Sequence, residues 1–348
     1  MPKIRTSRIL PTALAVLALV CFLRFPDTTA DAAREALSMT AHRLLPALFP
    51  YMVVSSLIVR RDLLATLNRV LPLNRLLHLP GSANSVLLTG WIAGFPVGAS
   101  GAAQLYRQGE ISKRDAERLA AVSSAASPAF LVSAVAGMWG DARFGWVLLG
   151  LNLTALLLFG LLTANRRDSL QTAAEYVPAN PKPRSFAADM SIAISDAGTA
   201  CLGVTAFITF FRILSAVAGR LCPPLAPVFS LVFEFSEGAS AGAAVGGVRG
   251  AAMCGFAVGF SGLCVLMQIA SRLTDAGLSL RSTVLSRLLA AAVLSLGAAL
   301  YARLSPMTPA AETVLTTPEA SVLPVFFWFA ALFLAKIHPR LHNFSRKT

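Results

Sequence analysis

Apolar runs of about twenty residues recur along the whole chain, parted by short basic segments. Roughly twenty such residues are what an α-helix needs to cross the hydrocarbon core of a bilayer. Hydrophobic residues make up 55% of the 348 and charged residues 14%, against about 25% charged in a soluble domain. That excludes a water-soluble enzyme, a disordered chain and a disulfide-stapled secreted module. The length suits a polytopic membrane protein of about eight spans with short loops.

Thirty lysines and arginines against 17 acids give a net charge of +13. The cations sit mostly between the apolar runs, as the positive-inside bias of membrane proteins predicts. They form no basic stripe with interleaved aromatics, so nucleic acid is not an expected partner. Cys21, Cys201, Cys222, Cys254 and Cys264 show no C-x-x-C spacing, and His42, His78, His338 and His342 are not central to any apolar run. No metal or other cofactor is expected.

Residues 1–35 read as an N-terminal membrane span whose apolar run, Ile9 to Leu23, follows Lys3, Arg5 and Arg8. Ala30-Asp31-Ala32 has the small residues of a cleavage site. The many later runs favour an uncleaved span with its N-terminus in the cytoplasm. A first membrane half covers 36–164. Its run at 39–59 holds Pro46 and Pro50, which predict a kink or break. Residues 62–80 alternate leucines with Arg69, Arg75 and His78, the pattern of an amphipathic surface helix. The run at 84–105 is rich in glycine, Ser112 with Asp115 predicts a capped helix start, and 121–138 and 144–163 predict two spans. Residues 165–186, with Pro178, Pro181, Pro183 and four basic residues, read as a cytoplasmic linker. A second half, 187–304, has runs at 192–218, 225–245, 251–271 and 283–304. The remainder, 305–348, reads as an outer loop without Lys or Arg up to 320, a last span at 321–337 and a basic cytoplasmic tail.

The halves share a pattern. Gly90-Trp-Ile-Ala-Gly-Phe95 matches Gly255-Phe-Ala-Val-Gly-Phe260, 165 positions on, and Gln104 and Gln268 follow. The pairing argues for a duplication, and the expected fold is all-α: two similar halves arranged as inverted repeats, with broken helices and re-entrant hairpins. Whether 84–105 and 225–245 cross or re-enter stays open. Broken helices expose backbone dipoles inside the bilayer, and a solute or coupling ion can meet them.

These same residues carry a family resemblance. Gly94-Phe-Pro-Val-Gly-Ala99, Gln108-Gly-Glu-Ile-Ser112, the Ser/Pro segment 123–128, Phe233-Glu-Phe-Ser-Glu-Gly238, Gly259 to Gln268 and Asp275-Ala-Gly-Leu-Ser279 resemble, in order, the YlbJ family of sporulation integral membrane proteins. The resemblance implies "nucleoside recognition" or Gate segments, action in the mother cell of endospore formers, and passage of dipicolinate across the outer forespore membrane, on which cortex formation depends. The chain has Ser100 where the family pattern has lysine, Ser124-Ala-Ala-Ser-Pro128 for Asn-Asn-Ser-Gly-Pro, and Glu234-Phe-Ser-Glu-Gly238 for Glu-x-Thr-Asn-Gly. Those departures bear on the ligand more than on the class.

The candidate solute-binding residues are Gly94, Pro96, Gly98, Ser100, Gln104, Ser124, Ser127, Glu234, Glu237, Gly238 and Gln268, with Ser123 and Ser240 as further neutral groups. Glu234 and Glu237, three apart in an apolar setting, are the candidates for a coupling ion or proton. Arg212 is a candidate charge partner for either glutamate or for a solute carboxylate, with snorkelling to the interface as the alternative. Asn152 reads as structural glue. The sequence thus predicts a transporter or permease for a small polar, anionic solute, in contact with the bilayer and with a homo-oligomer as a further option. A membrane scaffold is the alternative. Gly98-Ala-Ser-Gly101 and Gly259-Phe-Ser-Gly262 match the G-x-S-G of intramembrane proteases, but no histidine lies in a later apolar run, so no enzymatic activity is expected.

Overall fold

The computed structural model describes residues 6–60, 71–164 and 185–305, and every regular element among them is helical. The linker up to residue 184, the last span, the tail and residues 61–70 of the expected amphipathic helix lie outside these residues. Of that amphipathic segment, the described part has one helical turn, α4 (Leu73–Leu76).

Each half begins with a long helix. In the first, α1 (Thr6–Arg24) turns through 98° into α2 (Pro26–Met39). Pro26 stands in the first turn of α2, where its missing N–H leaves no bond unmade. A π-helical turn, Thr40–Leu44, carries α2 into α3 (Leu45–Arg60). The kink expected at Pro46 and Pro50 takes this form: the chain widens ahead of the first proline and runs on through the second, without a break. The counterpart in the second half is α10 (Phe186–Leu221), 36 residues, which packs along α2 and α3.

A helical hairpin follows in each half. In the first, α5 (Ala83–Ala93) folds back on α6 (Val97–Arg107); in the second, α11 (Ala226–Phe233) folds back on α12 (Phe235–Val245). The arms nearly touch: a Cβ on Gly90 would stand 3.0 Å from the Gly98 Cα, and one on Gly238 3.1 Å from the Leu231 Cα. At 1.5 Å per residue no arm exceeds about 17 Å, half of a bilayer. Residues 84–105 and 225–245 are therefore hairpins, not crossings.

An interrupted helix comes next. The run at 121–138 is not the single span its apolarity predicts. α7 (Lys113–Ser123) stops, Ser124 to Ser127 are non-helical, and a π-helical segment (Phe130–Val135) leads into α8 (Ala136–Trp139). Pro128 explains this, because proline disfavours helical backbone at the residue before it. In the second half α13 (Gly247–Phe260) and α14 (Gly262–Thr274) are parted at Ser261, where Ser261 and Gly262 have φ of +69° and +71°. A long helix closes each half: α9 (Ala142–Leu162) and α15 (Arg281–Leu304).

Long helix, hairpin, interrupted helix, long helix thus occurs twice. The glycine motifs do not follow that order. Gly90-to-Phe95 lies on a hairpin arm and its tip, Gly255-to-Phe260 on an interrupted helix. What they share is close packing against backbone. A Cβ would stand 2.3 Å from the Ser123 carbonyl at Gly90 and 2.3 Å from the Leu294 carbonyl at Gly255.

Side chains cap some of these helices, the one at Ser112 as expected. Ser112 Oγ accepts the Asp115 N–H at 3.1 Å and starts α7. Asp141 accepts from Arg143 and Phe144 at the head of α9, and the Tyr301 hydroxyl donates to it from the end of α15 at 3.1 Å. Two more bonds join the halves: Ser286 Oγ to the Ala121 carbonyl at 3.0 Å, and the Ser279 N–H to Glu117 at 2.8 Å.

α15 shows what solvent surrounds the fold. Its outward face carries Leu288, Leu296, Leu300 and Leu304, the last 75% exposed, while Ala290, Ala291, Leu294 and Ala298 are buried. Large apolar side chains outside and small ones inside is the pattern of a helix in lipid. α9, α10, α13 with α14, and α15 are long and apolar enough to cross a membrane, and α1 with α2 makes a fifth, bent candidate.

Candidate functional site

The hairpin tips and helix breaks converge. At the first tip Gly94 has φ +79° and ψ −165°, a conformation open in practice to glycine alone. The Ser127 side chain lies against it; a Cβ on Gly94 would be 2.8 Å from that of Ser127. So the first tip rests on the break of the first interrupted helix. The Val97 N–H returns to the Gly94 carbonyl at 3.0 Å, the Phe95–Pro96 peptide is cis, and no side chain caps α6.

The second tip turns on Glu234, which is extended and fully buried. Its carboxylate accepts the Ser236 N–H at 3.0 Å, the Glu237 N–H at 2.8 Å and the Ser236 hydroxyl. The residue caps α12 with its own side chain. Gly262 lies against this tip, where a Cβ would be 3.0 Å from the Phe235 nitrogen. The second tip therefore rests on the second break.

The two tips also touch each other. Phe95 and Phe235 meet edge to face, ring centres 6.3 Å apart, and Phe235 packs on Phe130 at 4.6 Å. Phe95 and Phe235 pack against both apolar cores, one centred on α8, α9, α13 and α15, the other on α5 to α7 and α14. Between the tips lies a cavity of about 60 Å³, bounded by Phe95, Ser127, Phe130, Phe235 and Gln268, with α3 and α10 as its further wall. That is about the share of two liquid waters. A wider hollow of about 370 Å³, lined by Pro46, Phe49, Pro50 and Cys201 among others, involves none of the tip residues.

Of the residues predicted from sequence, Gly94, Pro96, Ser127, Glu234 and Gln268 come together here. Ser100 stands in the first turn of α6, its hydroxyl donating to the Pro96 carbonyl at 3.2 Å. The Ser124 hydroxyl, in the first break, is buried with no partner among the described residues. Others belong elsewhere. Gln104 is exposed near the far end of α6. Gly98 and Gly238 serve packing: their Cβ positions would fall 2.4 Å from the Ser123 carbonyl and 2.7 Å from the Ala257 Cβ. Ser123 donates to the Leu119 carbonyl at 2.7 Å. Glu237 leans toward Ser215 and Arg212 of α10, one carboxylate oxygen unbonded. Asn152 is fully buried on α9 with its amide atoms unbonded among the described residues.

Arg212 does not pair with Glu234 or Glu237. It bridges to Glu35 at 3.2 Å and meets the Met39 sulfur at 3.3 Å. The packing of α10 along α2 puts the guanidinium beside Glu35, a partly wet partner that costs less to desolvate than a buried one.

Sequence reasoning passed over Arg287. It projects from α15, is fully buried, and its Cζ lies 5.7 Å from the centre of the Phe95 ring. Its Nη2 donates weakly to Ser286 Oγ at 3.4 Å, and Nε and Nη1 have no partner among the described residues. The signal was present as one cation inside the apolar run 283–304. Its nearness to Arg281 makes it look like a boundary charge.

Over 306 residues the chain is 25% identical to the sporulation integral membrane protein YlbJ of Bacillus subtilis (strain 168), covering 76% of this chain and 75% of that protein. This is a YlbJ-like integral membrane protein. The match bears out the resemblance carried by its motifs. No family model and no solved structure matches the YlbJ-like chain.

Proposed function

We propose that the YlbJ-like chain is a permease for a small polar, anionic solute, acting in endospore formation. The carrying observation is that two hairpin tips, each resting on a helix break, meet inside an apolar shell with a cavity between them. Backbone that leaves its helix within a membrane is stable only where protein or a watery cavity meets its dipoles, and secondary transporters place their sites there. The repeated order of elements supports Gate-like halves related by an inverted duplication, which would move against each other about the Phe95–Phe235 contact. The family resemblance supports dipicolinate as the solute and the outer forespore membrane as the location; the basic residues at both ends of the sequence support cytoplasmic termini. The partners are the solute, the bilayer and, on the exposed apolar faces, lipid or a second copy. An enzyme is not proposed: the hydroxyls of Ser100 and Ser261, in the two G-x-S-G segments, donate to the Pro96 and Val258 carbonyls, both at 3.2 Å.

The cavity volume, about 60 Å³, is far below the roughly 300–1,000 Å³ of small-molecule sites. Under the permease reading this is a closed state. The volume by itself favours the alternative, a membrane scaffold for sporulation. The scaffold gives no reason for fully buried, incompletely bonded Arg287, an expensive group inside a membrane.

Purified chain in lipid vesicles loaded against labelled dipicolinate separates the two. The permease predicts saturable uptake above that of empty vesicles. A chain that moves no dipicolinate, while its deletion still blocks spore formation, would establish the scaffold. No uptake together with normal spores sinks both.

A further inference from the structure

We propose that the start of α6 and Arg287 together form the receiving site for one carboxylate group of the solute, with the Phe95 ring covering the guanidinium in this state. The inference rests on the permease reading and names the part of the solute that the protein holds.

Three observations carry it. First, the two hairpins differ at one place. On the second, a carboxylate, that of Glu234, sits on the start of α12 and takes two backbone N–H groups. On the first, α6 has eleven residues and starts at half-buried Pro96 and Val97, followed by buried Gly98 and Ala99, with no capping side chain. A helix start carries partial positive charge and free N–H donors, and a carboxylate is their natural partner. The molecule thus shows on one tip the contact that the other tip is built to make with a molecule from outside.

Second, a full positive charge stands beside that tip. Arg287 is completely buried, its Cζ is 5.7 Å from the ring centre of Phe95, and no ion pair reaches it among the described residues. A guanidinium buried without a counter-ion is strongly unfavourable, and the planar fork of arginine suits a carboxylate better than any other group does. Phe95 also lines the central cavity. Movement of one ring therefore joins the cavity to the cation.

Third, two further donors without partners flank the place. Thr283 is one turn before Arg287 on α15, fully buried, its hydroxyl unbonded among the described residues; the Ser124 hydroxyl in the first break is the same. Ser286, between Thr283 and Arg287 in sequence, holds α15 to the Ala121 carbonyl close to that break. Hydroxyls and a guanidinium form a donor set with no acceptor charge of its own.

The test is calorimetric binding of dipicolinate, its uncharged diamide and inorganic phosphate to the full chain in detergent, alongside vesicle uptake. Wild type should bind dipicolinate and not the diamide. Phosphate binding as tight as dipicolinate would overturn the assignment to a carboxylate. Arg287→Gln should weaken dipicolinate binding roughly 10- to 100-fold, the range of one lost charge-assisted bond pair, and Arg287→Lys should lose less. Because Arg287→Gln can disturb folding, Val97→Asp serves as a second variant. It puts a carboxylate on the start of α6, and it should abolish binding while raising the unfolding temperature. Binding unchanged in both variants overturns the site. Uptake that persists unchanged in Arg287→Gln overturns the site and leaves the permease reading intact. Arg287-dependent binding without uptake overturns the permease and leaves the site intact.

Discussion

The two hairpins are alike in build and opposite in chemistry. One turns on Gly94, Phe95 and Pro96, and glycine supplies the backbone angles that the turn demands. The other turns on Glu234, in ordinary extended backbone, with a carboxylate that closes the helix after it. Each tip rests on the helix break of its own half, and an aromatic ring from each meets the other. A helix that starts inside an apolar shell must have its first N–H groups met by something. The second tip meets them from its own chain. The first meets the Val97 N–H with the Gly94 carbonyl and has no capping side chain, and Arg287 is buried against its Phe95 ring. The difference lies in the capping: one tip is closed by its own side chain and the other is not.

The sharpest way to break this comparison is at Gly94. Alanine there would have φ +79° and ψ −165° and a Cβ 2.8 Å from that of Ser127. Strain and clash together should cost about 3 kcal/mol, read as a large drop in the unfolding temperature of purified protein in detergent. A Gly94→Ala protein as stable as wild type would show that the first tip is not held as described.

Next comes Glu234→Ala. It strips the cap from α12 and leaves the Ser236 and Glu237 N–H groups buried without an acceptor, a loss of about 2 kcal/mol. Ser100→Ala, in the first turn of α6, should change stability far less, because that hydroxyl caps no helix start. If the two variants melt together, the claim that the tips differ in capping is wrong.

Much of this was legible in the sequence, and the failures share a cause. The ends of α9 and the Ser112 cap follow from apolar length and a two-residue signal, both local. The break near Gly94 was also visible, since glycine and proline in an apolar run oppose a continuous helix, whereas the breaks at Ser124 and Glu234 were not: 121–138 reads as one span, and Glu234 with Glu237 as one helix face. What could not be read was which break rests on which. Gly90 with Gly94, and Gly255 with Gly259, look equivalent because close packing selects glycine four apart wherever two helices touch. The spacing records a contact and says nothing about the partner. Arg212 and Arg287 show the converse. One is an arginine deep in a run that finds a wet partner on α2; the other is near the edge of a run and is sealed in. Distance from a run's end in sequence is a poor guide to burial once helices of 24 and 36 residues pack at different depths.

Two smaller substitutions sharpen the comparison. Ser127 supports the first tip and its hydroxyl accepts the Phe130 N–H at 3.2 Å, starting the π-helical segment. Ser127→Ala should cost about 1 kcal/mol and should act with Gly94→Ala less than additively, since both loosen one contact. A double variant whose loss is the simple sum would separate the tip from the break on which it rests. Gly150 sets the scale from the other side. It stands on the exposed face of α9 with nothing within 4 Å of its Cβ position, so Gly150→Ala should stabilise by about 0.5 kcal/mol through helix propensity alone. A loss there would mean that the outward face of α9 is covered by protein rather than lipid, and the pattern of large residues outside and small residues inside would then describe an interface between subunits.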